Sequence, residues 1–367
     1  MKLSVKTLTL QEMVAKAIKG ASNNKMIPIT SLMSIELKDG TLVLTTTDAT
    51  NTLKIIKKDI DGDNFYVTVS VDVFSKLVAK TTTETITLTL KEASLEVKGN
   101  GTYSIELPLD EEGQLIKFPE PTMNEANVDE TTVNLSTIKV LLTANKAALA
   151  DTMEVPCLTG YYCGENEVIS TDTYKVCGNA IKVFNKPVLI PAELMELLAI
   201  IDEEKITVQS AGNKLRFITG SVVVYGVELE GIEDYPVEAI EAYLKTEFTS
   251  VCKVPKSAFL NLLDRLSLFV AAYDNNGLYM TFTQDGVLIT SKRSNGTELI
   301  KYQDSKNFTP FTCCVDIELL KSQLAAQNTE VVELWYGHEK AIKMTSGNIT
   351  QIVALLEDDR LADNGED

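Results

Sequence analysis

A single histidine, His338, serves a chain of 367 residues. None of the six cysteines (Cys157, Cys163, Cys177, Cys252, Cys313 and Cys314) belongs to a Cys-x-x-Cys pair. The spaced soft ligands of a zinc site are therefore missing, and no metal is expected. Scattered through a long chain, the thiols do not form a disulfide framework; they read as small buried hydrophobes. No stretch of about 18 apolar residues occurs, so no helix crosses a membrane. The opening MKLSVKTLTLQEM has no continuous apolar core of a secretion signal, and a cytoplasmic location is expected. The P-loop, Gly-x-Ser-x-Gly and His-Glu-x-x-His patterns are absent. His338 falls in a Tyr-Gly-His-Glu turn, and no carboxylate pair stands out from the acidic background. Neither an enzyme nor a cofactor is expected. Positive charge is also short: 34 Lys and Arg stand against 52 Asp and Glu, a net charge of −18. That balance excludes a protein gripping nucleic acid with its whole surface. It leaves room for a local basic lining on an acidic body.

What the chain does have is 44% hydrophobic residues, enough for two or three domains with their own cores, and a long internal repeat. The period is roughly 120 residues, and one order of elements occurs three times. Each copy opens with an amphipathic helix: TLTLQEMVAKAIKGAS with Leu10, Met13, Val14, Ala17 and Ile18 on one face, LSTIKVLLTANKAAL with Ile138, Leu141, Leu142 and Asn145, and PKSAFLNLLDRLSLFV with Phe259, Leu262, Leu263 and Leu266. This is the i, i+3, i+4, i+7 spacing of a helix with one buried face. Thr9 and Ser136 are expected as N-caps and Pro255 in a first turn. A hairpin follows, centred on Asp39-Gly40 in the first copy and Asp285-Gly286 in the third, because Asp-Gly favours a tight turn. The second copy turns through Gly164 to Asn166. A strand then runs into a second helix: YVTVSVDVFSKLVAK, KPVLIPAELMELLAII and FTCCVDIELLKSQLAA. Asp72 and Asp316 are expected N-caps there, and Pro191 starts the helix of the second copy. Closing strands turn near Gly99, Gly220 and Gly347.

The fold class expected is α+β, with three tandem domains at 1–122, 123–246 and 247–367, each two helices packed on antiparallel sheet. The boundary segments KFPEPTMNEANVDE and YPVEAIEAYLKTEF lack a clear apolar period and read as linkers. The acidic end, EDDRLADNGED, reads as a disordered tail.

This order, the length, and the pieces IPITSLMSIELKDGTLVLTTTD, STDTYKV and VLIPAELMELL resemble the bacterial DNA polymerase III beta subunit, the beta sliding clamp. The resemblance spans nearly the whole chain. Three copies, rather than the two of the eukaryotic and archaeal clamp, point to the bacterial type. It implies a homodimer whose two chains join head to tail into a six-domain ring. The helices line the hole around double-stranded DNA, without reading sequence, and the ring tethers a DNA polymerase. It also implies a pocket between the second and third domains that takes short apolar peptides from polymerase and clamp-loader subunits.

Phosphate attraction calls for cations on solvated helix faces. Candidates are Lys16, Lys19 and Lys25 near the first helix, Lys76 and Lys80 four apart on the second, and Lys139 and Lys146 in copy two. Lys256, Arg265 and Lys321 serve copy three. PAELMELLAIIDEE carries no basic residue, which predicts a gap in the positive lining. For the peptide pocket, the resemblance assigns Thr171, Thr173, Tyr174, Lys175 and Val176, with Leu158 on the neighbouring strand. Pro236, Val237 and Glu238 take the place of an arginine-rich piece, with Val237 assigned to the pocket, and Ala354, Leu355 and Leu356 form the other wall. Tyr174 and Lys175 replace the family's His and Arg. For the subunit interface it assigns Tyr103 on an edge strand with Leu268 and Phe269. The departures also suit a divergent accessory or mobile-element clamp-like module with altered partners.

Overall fold

In a computed structural model, which describes residues 1–110, 112–271 and 275–357, β-structure dominates. Among the described residues the strands form four sheets whose pairings are antiparallel, and the chain divides into two compact units. The first unit is Met1–Leu135 with Glu193–Glu228; the second is Ser136–Ala192 with the described chain from Leu229 onward.

The first unit holds an eight-stranded sheet in the order β5 (Phe65–Ser70), β2 (Leu32–Lys38), β3 (Thr41–Thr47), β4 (Thr52–Lys57), β16 (Val222–Val227), β15 (Lys214–Ile218), β14 (Lys205–Ala211), β9 (Asp129–Asn134). It also holds a four-stranded sheet: β1 (Lys2–Lys6), β6 (Thr85–Leu90), β7 (Ser94–Lys98), β8 (Thr102–Glu106). The second unit repeats the plan. Its nine-stranded sheet runs β13 (Val188–Pro191), β10 (Gly160–Cys163), β11 (Val168–Thr171), β12 (Lys175–Asn179), β25 (Ile349–Ala354), β24 (Ala341–Ser346), β23 (Val331–Tyr336), β17 (Ser250–Pro255), β21 (Asp304–Lys306). Its smaller sheet runs β20 (Thr297–Lys301), β19 (Gly286–Ser291), β18 (Gly277–Phe282), β22 (Phe311–Asp316).

Each large sheet is made by strands from successive repeat copies. β4 of copy one pairs with β16 of copy two, with Leu53 opposite Val224. β12 of copy two pairs with β25 of copy three, with Val176 opposite Ile352. The strands of the second copy are thus shared between the two units. The four-stranded sheets belong to copies one and three alone, and they end on β8 and β20.

Six α-helices follow the predicted repeat: α1 (Thr7–Ala17), α2 (Val71–Lys80), α3 (Leu135–Val140), α4 (Ala192–Leu197), α6 (Lys256–Leu266) and α7 (Ile317–Ala325), in chain order with α5 (Val237–Leu244) between α4 and α6. Leu10, Met13, Val14 and Ala17 of α1 are buried, as are Phe259, Leu262, Leu263 and Leu266 of α6. Ile18 falls in a following 3₁₀ turn and is 36% exposed. Gln11 of α1 donates through Nε2 to the carbonyls of Val78 and Thr81, both at 3.0 Å. It thereby adds a side-chain donor to carbonyls at the end of α2, where helical partners run out.

Several local expectations need correction. Thr9 and Ser136 lie inside helices that begin at Thr7 and Leu135, because strands β1 and β9 run straight into them. Asp316 is an N-cap, accepting from the amides of Glu318 and Leu319, but Asp72 is not: α2 begins one residue earlier, and Asp72 pairs with Lys76 instead. Pro255 precedes α6 rather than entering it. Asp39-Gly40 does form a two-residue turn with both φ angles positive (49° and 76°), as a type I′ hairpin requires. In copy three the turn shifts back to Gln284-Asp285, with the Thr283 amide bonded to the Gly286 carbonyl. Gly286 is needed for a different reason: a Cβ there would lie 2.2 Å from the Ile300 carbonyl oxygen. The segment around 235–248 is no plain linker, since it contains α5. Of the acidic end only Glu357 is described; the tail beyond it lies outside the described residues. The six cysteines are buried.

Glu203, just beyond α4, ties down the turn between β15 and β16. Its Oε1 accepts from Ser221 N (2.9 Å), Ser221 Oγ (2.5 Å) and Thr219 Oγ1 (2.9 Å). Burial alone would raise the carboxyl's pKa, but the bonds from Ser221 and Thr219 outweigh it and hold the group below its usual 4.5. A carboxyl depressed by folding stabilises above its unfolded pKa, and that contribution is lost as pH falls through the folded value. We expect Glu203→Gln to cost about 1 kcal/mol near neutral pH. Urea melts should show the gap from wild type closing below about pH 4; a gap that persists there contradicts this role.

Candidate functional site

The second unit carries a cleft of about 220 Å³ built on the turn between β11 and β12. Thr171 Oγ1 donates to the Lys175 carbonyl (2.7 Å) and accepts from the Thr173 amide (3.0 Å). Asp172 Oδ1 accepts from the amides of Tyr174 (2.9 Å) and Lys175 (2.7 Å). These bonds hold Thr173 at a φ of 80°, which a β-branched residue adopts only under such constraint. They also leave Tyr174 65% exposed. The Ala354 amide donates to the Tyr174 carbonyl at 2.9 Å, locking β25 to the turn.

Val176, Ile352 and Ala354 form the sheet side of the cleft, and α5 forms the other wall with Ala239, Ile240 and Tyr243. Helix α5 is fixed from below. Val237, Ile240 and Leu244 face a core that includes Leu158 and Tyr235. Tyr235 stacks on Tyr162 at 5.1 Å and donates to the Ile169 carbonyl. Burial raises the Tyr235 phenol well above its ordinary range, so it stays a neutral donor. Among the described residues no Asp, Glu, Lys, Arg or His lines the cleft. Its chemistry is that of an apolar cleft with aromatic rims, suited to anchoring side chains rather than moving protons.

Of the expected pocket residues, Thr171, Thr173, Tyr174, Val176 and Ala354 line this cleft together. Leu158 lies beneath it in the core, and Val237 supports the helix from behind. Lys175 is buried on the other face of its strand, its ammonium 3.1 Å from Asp172. Leu355 turns toward the core of the third copy, and both it and Leu356 bond through their amides to that copy, at Lys340 and Cys314. The cleft is also lined by Pro236, which the resemblance set beside Val237, and by Ala239, Ile240, Tyr243 and Ile352, which sequence reasoning missed. The signal was there: 236, 239, 240 and 243 repeat at helical spacing.

Of the expected DNA-facing cations, Lys19, Lys25, Lys76, Lys80, Lys139, Lys146 and Arg265 are exposed. Lys16 pairs with Asp202 (2.5 Å), Lys76 with Asp72 (2.5 Å), Lys321 with Asp264 (2.6 Å) and Arg265 with both oxygens of Glu298 (2.9 and 2.6 Å), while Lys256 donates to the Gln327 carbonyl (2.5 Å). The Glu298 carboxylate holds the Arg265 guanidinium above its usual range, and Asp264 does the same for Lys321. The acidic segment after α4 thus supplies Asp202, which captures Lys16. Tyr103 stands on β8 at 42% exposure; Leu268 and Phe269, after α6, are 80% and 47% exposed. No group of three or more His, Cys, Asp or Glu converges among the described residues. No described helix is long and apolar enough to cross a membrane.

The architecture is that of the DNA sliding clamps. Solved structures that share it include the sliding clamp of Bacillus subtilis (17% identity, 98% of this chain and 99% of that one, TM-score 0.83). The DNA polymerase III beta subunit of Borrelia burgdorferi (15%, 97% and 99%, 0.86) and the beta subunit of Streptococcus pyogenes (16%, 98% and 100%, 0.86) share it as well. Residues 1–126 match the family described as DNA polymerase III beta subunit, N-terminal domain. The match covers the first third of the chain, and the whole chain has the fold of the solved structures. Comparison with curated protein sequences finds none that matches.

If the cleft anchors apolar side chains, its two exposed rim tyrosines carry a large share of the contact. A fluorescein-labelled hexapeptide rich in Leu and Phe should bind, and Tyr174→Ala with Tyr243→Ala should weaken it about tenfold by anisotropy. Equal affinity for wild type and double variant would show that the cleft is not the site.

Proposed function

We propose that this chain is a bacterial-type DNA sliding clamp, a non-catalytic cytoplasmic protein. Two copies close head to tail around double-stranded DNA and hold a polymerase to it without reading sequence. The observation that carries this reading is the pair of unused sheet edges. Inside one chain, two joints between repeat copies are made, β4 with β16 and β12 with β25. The strands in the corresponding places at the two ends of the repeat series, β20 and β8, are edges. An edge strand with exposed apolar residues such as Tyr103 on β8 and Leu299 on β20 is a template for another strand. Pairing β8 of one chain with β20 of a second repeats the internal joint. Doing so twice leaves no such edge open, and a head-to-tail contact that closes gives a ring.

On this reading the apolar cleft of the second unit receives short peptides from polymerase and clamp-loader subunits. Tethering raises the polymerase's effective concentration at the DNA, with no bond made or broken by the clamp. An accessory or mobile-element clamp with altered partners is the second reading. It is favoured by Tyr174 and Lys175 and by the ion pairs that Lys16, Lys76, Arg265 and Lys321 make with carboxylates.

Light scattering at micromolar concentration should give a mass near twice the 40.3 kDa chain. Tyr103→Asp, which places a charge on the exposed edge, should return it to the monomer. A wild-type monomer, or an unaltered dimer in the variant, would overturn the ring.

A further inference from the structure

The first unit repeats the turn that builds the peptide cleft, bond for bond. Thr47 Oγ1 donates to the Asn51 carbonyl (2.6 Å) and accepts from the Ala49 amide (3.1 Å). Asp48 Oδ1 accepts from the amides of Thr50 (2.8 Å) and Asn51 (2.6 Å). Ala49 has a φ of 83°, where Thr173 has 80°. The following strand joins the next copy in the same register: Thr52 sits opposite Tyr225 as Val176 sits opposite Ile352. A cleft of about 340 Å³ lies on this turn, lined by Thr50, Thr52, Tyr225 and Val227 where the other cleft has Tyr174, Val176, Ile352 and Ala354.

The two clefts differ in chemistry. The boundary segment walling this one, Pro119–Met123, has no helix to supply an apolar face; its prolines cannot sustain one. Thr50 and Thr52 present hydroxyls in place of a tyrosine ring and a valine. Glu120, a lining carboxylate, is held by Lys54 at 2.7 Å. Lys214, on the lining and exposed, has no carboxylate partner among the described residues. The cleft therefore offers a cation and hydroxyl donors around an apolar floor.

We propose that this cleft is a second peptide-docking site, for a short segment carrying a carboxylate side chain beside an apolar one. The carboxylate meets Lys214 and the threonine hydroxyls, and the apolar side chain lies against Tyr225 and Val227. The proposal rests on reading the cleft of the second unit as a peptide site, and it gives the chain two sites of different preference.

The probes are two fluorescein-labelled octapeptides, serine-rich with a central Leu-Asp-Leu or Leu-Lys-Leu, beside the Leu/Phe-rich hexapeptide. With wild type, anisotropy should show binding of the aspartate peptide and not of the lysine peptide. Lys214→Glu should weaken the aspartate peptide about tenfold, equivalent to ~1.4 kcal/mol, and admit the lysine peptide. The hexapeptide should ignore Lys214→Glu and lose affinity in Ile240→Asp. No binding of the aspartate peptide to wild type, or equal binding to Lys214→Glu, overturns the second site. Failure of the hexapeptide alone overturns the reading of the first cleft and leaves the Lys214 comparison to decide this one.

Discussion

Antiparallel pairing between strands of successive repeat copies is the constraint on which everything else in this molecule rests. β4 with β16 and β12 with β25 turn small half-sheets into continuous ones. Each joint satisfies backbone groups that would otherwise form an exposed edge, at roughly 1 kcal/mol net per hydrogen bond. The joint also creates the clefts. Both lie where a Thr-Asp turn of one copy meets the last strand of the next, so their walls are fixed by sheet register. The same rule leaves β8 and β20 as the places where a second chain can continue the pattern.

Charge is arranged with equal economy. A body of net charge −18 repels DNA at long range, and several of the helix-face cations are already paired with carboxylates. Such exposed pairs are individually weak and screened by salt, so a phosphate can displace Asp202 or Glu298 without large cost. A ring that must slide is served by attraction of this kind. On the proposed reading, confinement by topology, rather than affinity, holds the protein on DNA.

Much of the fold was legible because it is written three times. The helix stripes of Leu10–Ala17 and Phe259–Leu266, the Asp39-Gly40 turn and the Asp316 cap follow from local pattern. Gly286 was misread because a glycine wanted for close approach to the Ile300 carbonyl looks, in sequence, like one wanted for a turn. The helix of 237–244 was passed over because the Pro- and Glu-rich composition of its segment reads as a linker, although 236, 239, 240 and 243 keep helical spacing. With it went the wall of the cleft formed by Ile240 and Tyr243. Leu355 and Leu356 were placed by their neighbour Ala354, but β25 ends there and their amides bond to Lys340 and Cys314. The partners of the cations could not be read at all: Lys16 and Asp202 are 186 residues apart, and Arg265 and Glu298 are 33 apart. Only the folded chain brings them together.

The central claim is that the protein holds DNA by encircling it. Its most direct test is retention on a nicked circular duplex after opening and closing of the ring with a clamp loader, followed by cutting of the circle at one site. The account predicts that the protein stays on the circle in moderate salt and runs off once the DNA is linear. Equal retention on both forms, or none on the circle, would contradict it.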